Sequence, residues 1–242
     1  MDPSKISHKT LLGKIIRLPF KLLPAGAVVR VVRGPAKGRR WIADCTTLGF
    51  WLGYWELENQ RRFANQLRPG DVVYDIGAHV GLYTLISSGR VGPEGHVYAF
   101  EPLPRNLEFL RRHIQLNGLL NCTVIDAAVW SSSGFGHFEP APLDSAGHLS
   151  ETGNMSVATL SLDGFLFSGG DRRPPNALKI NAEGAEMEIL LGGRHTISKF
   201  SPLIFLSTHS GEIDRLCCEF LLSTGYSIQR MGVDKICAEK KL

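Results

Sequence analysis

The sequence predicts an α/β fold in which a mostly parallel sheet carries helices on both faces. From Asp71 onward, short runs rich in β-branched and aromatic residues alternate with longer runs of helical periodicity. The predicted strands are 72–76, 96–100, 122–126, 177–181 and 202–207, followed by a strand pair around 226–231 and 235–239. One helix is predicted to begin near residue 81, and three others are predicted over 104–117, 184–191 and 211–223. Strands that alternate with helices in this way pair in parallel, because each helix returns the chain to the end of the sheet at which the previous strand began.

Length and composition indicate one catalytic domain with an extension. The chain has 242 residues, of which 43% are hydrophobic and 21% charged, as in ordinary globular proteins. The five cysteines show no CxxC spacing, so no zinc or redox site is predicted from them. No run of about 18 apolar residues occurs, and no signal-peptide cleavage pattern follows the first apolar stretch. These features favour a cytoplasmic location.

The N-terminal extension, residues 1–69, is strongly basic, and the catalytic domain is assigned to 70–242. Residues 1–43 hold ten Lys or Arg and one acid, whereas the rest of the chain holds 17 basic and 22 acidic residues. An amphipathic helix is predicted over 10–18, a hairpin from 28–32 and 39–44, and a helix over 54–67. A basic amphipathic segment is typical of peripheral contact with anionic membranes, so residues 1–43 are a candidate for it. RNA is a less favoured partner.

One stretch gives a weak pattern. Residues 131–176 are rich in Ser, Gly and Pro and lack a long periodic run. They are predicted to form a short hairpin and loop insertion around 157–166 (VATLSLDGFL).

The turn DIGAHVG at 75–81 is the strongest chemical signal in the chain. It follows an apolar strand and opens a helix, so its glycines let the backbone turn sharply while helix N–H groups face a ligand. Glu101 ends the next strand 20 residues after Gly81, a separation at which a carboxylate meets a ribose. Together these features predict a nucleoside ligand. The competing interpretation is tight packing of the glycines and a surface acid at Glu101.

Absent motifs narrow the choice of nucleoside. The dinucleotide fingerprint GxGxxG and the phosphate loop GxxxxGK[ST] do not occur, whereas a DxGxxxG turn suits an adenosine linked to an amino acid without a pyrophosphate. S-adenosyl-L-methionine is a ligand of this kind.

The sequence resembles the FkbM-type methyltransferases, a branch of the Rossmann-like enzymes that use S-adenosylmethionine. The resemblance runs from about residue 49 to 209 and rests on DVVYDIGAHVGLYT, HVYAFEPLPRNLEFLRRHIQLN, TVIDAAVWSSSG, SLDGFL, LKINAEGAEMEILLGG and SPLIFLSTH. It implies a class I methyltransferase fold and places the cofactor at Glu56, Asp75, Gly77, Ala78, His79, Gly81, Glu101, Pro102, Asp126, Ala127 and Ala128.

Within that set, the resemblance gives each group a part of the cofactor. Asp75, Gly77 and Gly81 would surround the methionine end, Glu101 would bind the ribose, and Asp126 with Ala127 or Ala128 would border the adenine. Glu56 would close over the cofactor from a Tyr-Glu element in which Trp55 replaces the usual tyrosine.

Two further departures from the family pattern bear on chemistry. His79 replaces the usual asparagine of the glycine turn and is interpreted as a loop residue. Asn181 replaces the aspartate usual in the KIDxEGAE segment. Because an oxygen-ligated metal needs carboxylates, the loss of this one argues against a metal. No metal is predicted.

The catalytic candidates are Asn181, Glu183 and His209, which follow two central strands. Ligands of such sheets bind beyond the carboxyl ends of the strands. His209 has an ordinary pKa near 6.5 that suits a general base, and Glu183 can orient it or bind a hydroxyl. The alternatives are a hydrogen-bonded loop histidine and a carboxylate that caps the following helix.

The resulting interpretation is a methyltransferase that methylates a hydroxyl of a small molecule or glycan-type acceptor. Nitrogen methylation, including that of RNA, uses the same cofactor site and stays open. An alternative of another class is a cofactor-binding or membrane-associated scaffold that has lost catalysis, which the changes at Asn181 and His79 would fit.

Overall fold

The computed structural model describes residues 10, 23–140, 147–149, 153 and 155–240. The helix predicted over 10–18 therefore lies outside the described residues, apart from Thr10. Among the described residues, none of the helices has the length and apolarity needed to span a bilayer.

A seven-stranded sheet forms the centre of the structure, and five consecutive strands that reach one of its edges are parallel. Its strands are β3 (Val72–Ile76), β4 (His96–Phe100), β5 (Cys122–Ile125), β10 (Ala177–Ile180), β11 (Leu203–Ser207), β12 (Tyr226–Arg230) and β13 (Lys235–Lys240). They lie in the order β12-β13-β11-β10-β3-β4-β5. β13 is antiparallel to β11 and to β12. The predicted strands are confirmed to within one or two residues at their ends.

The strand order reverses beside β3, which is buried along its whole length. β4 and β5 extend the sheet on one side of β3, and β10 and β11 extend it on the other. In register, Ile76 pairs with Phe100 and with Ile180, so the carboxyl ends of β3, β4 and β10 lie side by side. A strand buried on both faces needs mostly apolar residues, which explains the VVYDI sequence of β3 apart from Asp75. Such a reversal point is where open α/β sheets bind ligands.

Helices cover both faces of the sheet. They are α1 (Leu48–Leu52), α2 (Leu57–Gln66), α3 (Leu82–Val91), α4 (Pro104–Leu116), α5 (Leu162–Phe167), α6 (Glu186–Gly192), α7 (Arg194–Phe200) and α8 (Gly211–Ser223). One hydrophobic cluster joins the sheet to α5–α8, and another joins it to α3 and the N-terminal elements. α4 begins with proline at its first position, and Ser210 caps α8 by accepting a hydrogen bond from the Ile213 N–H at 3.1 Å.

The N-terminal extension packs on the same core as the sheet. The predicted hairpin forms from β1 (Val28–Arg30) and β2 (Arg40–Ile42), which pair antiparallel. Trp41 is fully buried and stacks on the His113 ring at 4.2 Å. The helix predicted over 54–67 begins only at Leu57, because the chain turns through a left-handed conformation at Glu56, and α1 is an additional helix that was not predicted. Residues 28–67 thus share one hydrophobic cluster with β3 and α3.

The insertion after β5 is more regular than predicted. Four strands of the described residues after β5 form a sheet: β6 (Ala128–Val129), β7 (Gly134–Pro140), β8 (Gly147–Leu149) and β9 (Met155–Leu160), in the order β6-β9-β7-β8. The segment 157–166, predicted as part of a hairpin, contributes the end of β9 and most of α5. Phe138 and Val157 of this sheet pack on Leu103, so the small sheet covers the carboxyl ends of β4 and β5.

Candidate active site

A cavity of about 530 Å³ opens at the carboxyl ends of the central strands. Its floor contains the residues that follow β3, β4 and β10, and its walls come from the N-terminal segment 44–59 and the small sheet. The volume lies within the range of about 300–1,000 Å³ typical of small-molecule sites. The strand reversal and the cavity therefore coincide.

The glycine turn after β3 is held by tight backbone contacts. Gly77 has φ +70°, and a Cβ there would lie 1.9 Å from the Asn181 carbonyl oxygen. The Gly77 and Ala78 N–H groups donate to the Phe100 carbonyl oxygen at 3.0 and 2.9 Å. Lys179 donates to the Gly77 carbonyl oxygen at 3.0 Å. Only glycine permits this approach, so the turn joins β3, β4 and β10 in a fixed geometry.

Asp75 supports the turn from within the core. Its side chain is fully buried, accepts a hydrogen bond from the Thr84 hydroxyl at 2.6 Å and lies 3.2 Å from the Lys179 ammonium. Because Lys179 lines the cavity and also holds the Gly77 carbonyl, Asp75 acts on the cavity through Lys179.

Glu101 lies at the cavity floor with 4% of its surface exposed. Its Oε2 accepts from the His79 N–H at 2.7 Å, and its Oε1 accepts from the Leu103 N–H at 3.0 Å and the Asn106 amide at 3.2 Å. Burial raises the pKa of Glu101, and these hydrogen bonds oppose the rise. A carboxylate offers about four acceptor positions, so Oε2 keeps one for a ligand hydroxyl.

His209 lies between two carboxylates beside the cavity. Its Nδ1 is 2.7 Å from Oε1 of the fully buried Glu186, and its Nε2 is 3.5 Å from Oε2 of Glu183. Since a carboxylate only accepts, Nδ1 carries the proton, which leaves Nε2 as the titrating atom. The Glu186 hydrogen bond, with the charges of Glu186 and Glu183, raises the pKa of His209 despite partial burial. Glu183 lines the cavity, whereas His209 stands behind it.

Glu56 ties the N-terminal segment across the cavity. Its Oε1 lies 2.9 Å from the Lys235 ammonium on β13, and its Oε2 accepts from the Tyr83 hydroxyl at 3.2 Å. Lys235 also donates to the Ser207 hydroxyl at 3.2 Å. Burial and Glu56 raise the pKa of Tyr83 well above its usual value. These bonds link α2, α3 and β13 at the cavity wall.

Most of the predicted site residues line this cavity. Those that do are Glu56, Gly77, Ala78, His79, Glu101, Pro102, Ala127, Ala128, Asn181 and Glu183. Asp75, Gly81, Asp126 and His209 are not among its lining residues. Gly81 instead opens α3 close to Leu110, and the exposed Asp126 carboxylate pairs with Arg111. The structure thus places Ala127 and Ala128, and not Asp126, at the cavity.

Backbone strain concentrates at this cavity. Four non-glycine residues of the described chain have positive φ, and Glu56, His79 and Glu183 among them line the cavity. Such conformations cost of order 1–3 kcal/mol each and cluster at functional sites.

Three residues of the site were not predicted from the sequence. Lys179, which is buried, and Lys235, which is half-buried, place ammonium groups on the cavity wall, and Glu186 holds His209 and the N–H groups of the loop before α6. A lysine inside the apolar strand ALKI was the available signal for Lys179, because a charged residue at a buried strand position needs a partner. Within the described residues, no group of three or more His, Cys, Asp or Glu side chains is arranged to hold a metal ion.

Comparison with known proteins decides the family. Residues 75–228 match the family model of the methyltransferase FkbM domain, which is more than half of the chain. The chain belongs to the FkbM methyltransferase family. The family resemblance and the Rossmann-like class I methyltransferase fold predicted from the sequence are both confirmed.

Two curated relatives of this FkbM-family methyltransferase illustrate its similarities. It is 30% identical over 172 residues, 68% of each chain, to the hexuronic acid methyltransferase AglP of Haloferax volcanii. It is 39% identical over 71 residues to the 31-O-demethyl-FK506 methyltransferase FkbM of Streptomyces tacrolimicus, a match that covers 28% of this chain and 27% of that one.

A solved structure supports the fold. The methyltransferase FkbM from Methylobacillus flagellatus superimposes with a TM-score of 0.53 at 19% identity over 79% of this chain. The chain spans 52% of the length of that structure.

Proposed function

We propose that this protein transfers the methyl group of S-adenosylmethionine to a hydroxyl of a small-molecule or glycan-type acceptor. The observation that carries the proposal is the cavity beside β3. The buried carboxylate of Glu101 lies on its floor after β4. Glu183 lines the same cavity after β10, and His209 lies behind Glu183. A ligand site therefore has a proton-accepting group beside it.

The cavity suits the parts of S-adenosylmethionine. Glu101 keeps acceptor capacity for a ribose hydroxyl, and Ala127, Ala128 and Phe138 provide an apolar wall for adenine. The polar groups around the glycine turn suit the amino acid end. When bound, the cofactor supplies a methyl group on a positively charged sulfonium. Holding an acceptor oxygen in line with that methyl provides most of the acceleration.

The protein's own groups prepare the acceptor hydroxyl. A hydroxyl bound at Glu183 is a neighbour of His209 Nε2, which accepts its proton as the oxygen attacks. The imidazolium that forms is stabilised by Glu186 on its other side, whose carboxylate is only 2.7 Å away. Glu186 also fixes the ring orientation and therefore acts as a positioning residue.

The cavity mouth favours an acceptor with a ring. Trp55 lines the mouth with 44% of its surface exposed and stacks on Phe50 at 4.7 Å with an angle of 16° between the rings. A rigid aromatic face held open to solvent can cover the apolar face of a sugar ring at low entropic cost. The similarity to a hexuronic acid methyltransferase points to the same acceptor class.

The function can be tested in two steps. Calorimetry with S-adenosylmethionine and its demethylated product measures cofactor binding, and tritium transfer to a panel of neutral sugars, uronic acids and RNA measures the reaction. Transfer to sugar hydroxyls is expected. Cofactor binding without transfer to any acceptor would favour the scaffold alternative, and transfer to RNA alone would contradict the acceptor class.

Glu101→Gln is expected to weaken S-adenosylmethionine binding by about 1–3 kcal/mol, because a charged acceptor of the ribose is lost in a desolvated site. Calorimetry measures the change. Glu108→Gln, an exposed change on α4, is the matched control and should bind normally. Wild-type affinity in a folded Glu101→Gln protein would show that Glu101 does not hold the ribose.

Trp55→Ala is expected to raise the KM for a sugar acceptor by about 10-fold, with little effect on cofactor affinity, while Trp55→Phe retains most of the activity. Steady-state kinetics with each substrate varied in turn separates the two effects. Phe167→Ala removes a similarly exposed ring that does not line the cavity and serves as the control. An unchanged KM in Trp55→Ala would remove the aromatic platform from the proposal.

A further inference from the structure

A second concavity, here called the basic groove, lies between the N-terminal hairpin and the carboxyl ends of α3 and α4. Its volume is about 680 Å³, and its cationic lining residues are Arg30, Lys37, Arg39, Arg40 and Arg90. Within the described part of the chain, no Asp or Glu lines it. Five positive charges converge on one groove without a carboxylate among them, so the groove attracts anions.

The cations of the groove sit on a rigid support. The Asn117 side chain at the end of α4 accepts from the Arg40 N–H at 2.8 Å and donates to the Arg40 carbonyl oxygen at 2.9 Å. Arg30 donates to the Gly38 carbonyl oxygen at 2.8 Å, and Arg90 donates to that of Ala64 at 2.7 Å. None of the five cationic side chains forms an ion pair with a described carboxylate. Their charges are therefore available to an external anion.

The basic groove is separate from the cavity of the active site. Arg105 at the start of α4 lines the cavity, whereas Leu116 at its end lines the groove. A helix of 13 residues is about 20 Å long, so the two ligands would lie at opposite ends of α4. The groove is consequently not part of the cofactor or acceptor site.

Apolar side chains stand exposed beside these charges. Val28 and Val32 are 49% and 47% exposed, and Arg30 lies between them at the alternating spacing of an extended strand. Aliphatic and basic side chains on one face are typical of surfaces that bind the lipid interface. Binding of single-stranded nucleic acid relies instead on aromatic platforms, and no aromatic residue lines the described groove.

We propose that this face of the hairpin docks on a membrane that carries anionic phospholipids, with headgroup phosphates in the basic groove and Val28 and Val32 at the lipid interface. The contact places the enzyme at a surface while its cavity stays at the far end of α4. It rests on residues 28–40 and 90, and it is independent of the proposed methyl transfer.

Co-sedimentation of the full chain with vesicles tests the proposal. Binding is expected to vesicles of phosphatidylcholine with phosphatidylglycerol, and not to phosphatidylcholine alone. The variant Lys37→Gln/Arg39→Gln/Arg40→Gln is expected to lower the partition coefficient about 100-fold at low salt, which corresponds to about 1 kcal/mol for each cation removed. If that variant is unstable, Lys37→Glu with Arg40→Glu, both exposed, replaces it.

The matched control removes three exposed cations from other helices: Arg61→Gln, Arg62→Gln and Arg215→Gln. It has the same net charge as the groove variant and should bind vesicles nearly as the wild type does. Val28→Ser with Val32→Ser is expected to weaken the binding that persists at high salt, where charge is screened.

Several results would overturn the proposal. One is that the wild-type protein does not sediment with anionic vesicles. Another is that the groove variant and the control variant bind these vesicles equally. Displacement from vesicles by low inorganic phosphate would assign the groove to soluble phosphate, and a groove-dependent shift of RNA without vesicle binding would assign it to nucleic acid. Each measurement is made without S-adenosylmethionine, so a failure of the methyltransferase assay does not affect it.

Discussion

His209→Ala is expected to lower kcat about 10²- to 10⁴-fold while the Kd for S-adenosylmethionine changes little. The reason is that His209 Nε2 is the proposed proton acceptor beside Glu183, whereas the predicted cofactor contacts lie at Glu101 and the glycine turn. Single-turnover kinetics gives the chemical step, and calorimetry gives the affinity. His137→Ala, an exposed change on β7, is the control.

The pH dependence distinguishes a proton acceptor from a structural histidine. His209 must be neutral to accept a proton, and its carboxylate neighbours raise its pKa. The rate should therefore rise with pH, with a midpoint above the usual value near 6.5. Glu186→Gln removes the charge that raises this pKa, so the midpoint should move to lower pH. If kcat is unchanged in His209→Ala, or if the rate of that variant still rises with pH at the wild-type midpoint, the proton passes to another group.

Gly77→Ala is expected to destabilise the protein by about 4 kcal/mol or more and to abolish cofactor binding. The new Cβ would lie 1.9 Å from the Asn181 carbonyl oxygen, a backbone atom that moves only if β10 shifts away from β3. The positive φ of +70° adds a further penalty.

A matched glycine separates these two causes. Gly26 has φ +73°, and no atom of the described residues lies within 4 Å of the position that a Cβ would take there. Gly26→Ala should therefore cost only the conformational penalty of about 1–2 kcal/mol. Denaturant unfolding of both variants measures the difference. Equal destabilisation would show that the contact between the two strand ends is not tight.

Local patterns predicted the parallel core because they report burial directly. The runs VVYDI, HVYAF and ALKI are mostly apolar on both faces, as a strand that is buried on both faces requires. The glycine turn and Glu101 were also predicted, since a sharp turn and a carboxylate at a strand end have recognisable residue types and spacing.

The less regular parts were predicted poorly for a physical reason. In the small sheet, β6 and β8 have only two and three residues, and the pairing of the longer strands β7 and β9 joins residues that no periodic pattern links. Glu56 likewise stands in a stretch of helix formers and was predicted to be helical. In the structure it adopts a left-handed conformation just before α2, where its carboxylate bonds to Lys235 and Tyr83.

The sequence by itself determined the fold class and predicted the glycine turn and the candidates His209 and Glu183, because those depend on burial periodicity and on residue type at strand ends. Only the tertiary structure decided that Glu186 holds His209, that Lys179 joins Asp75 to Gly77, and that Asp126 points away from the cavity. These are distances between side chains from separate elements. They are set by how the strands and helices pack, and no spacing along the chain contains them.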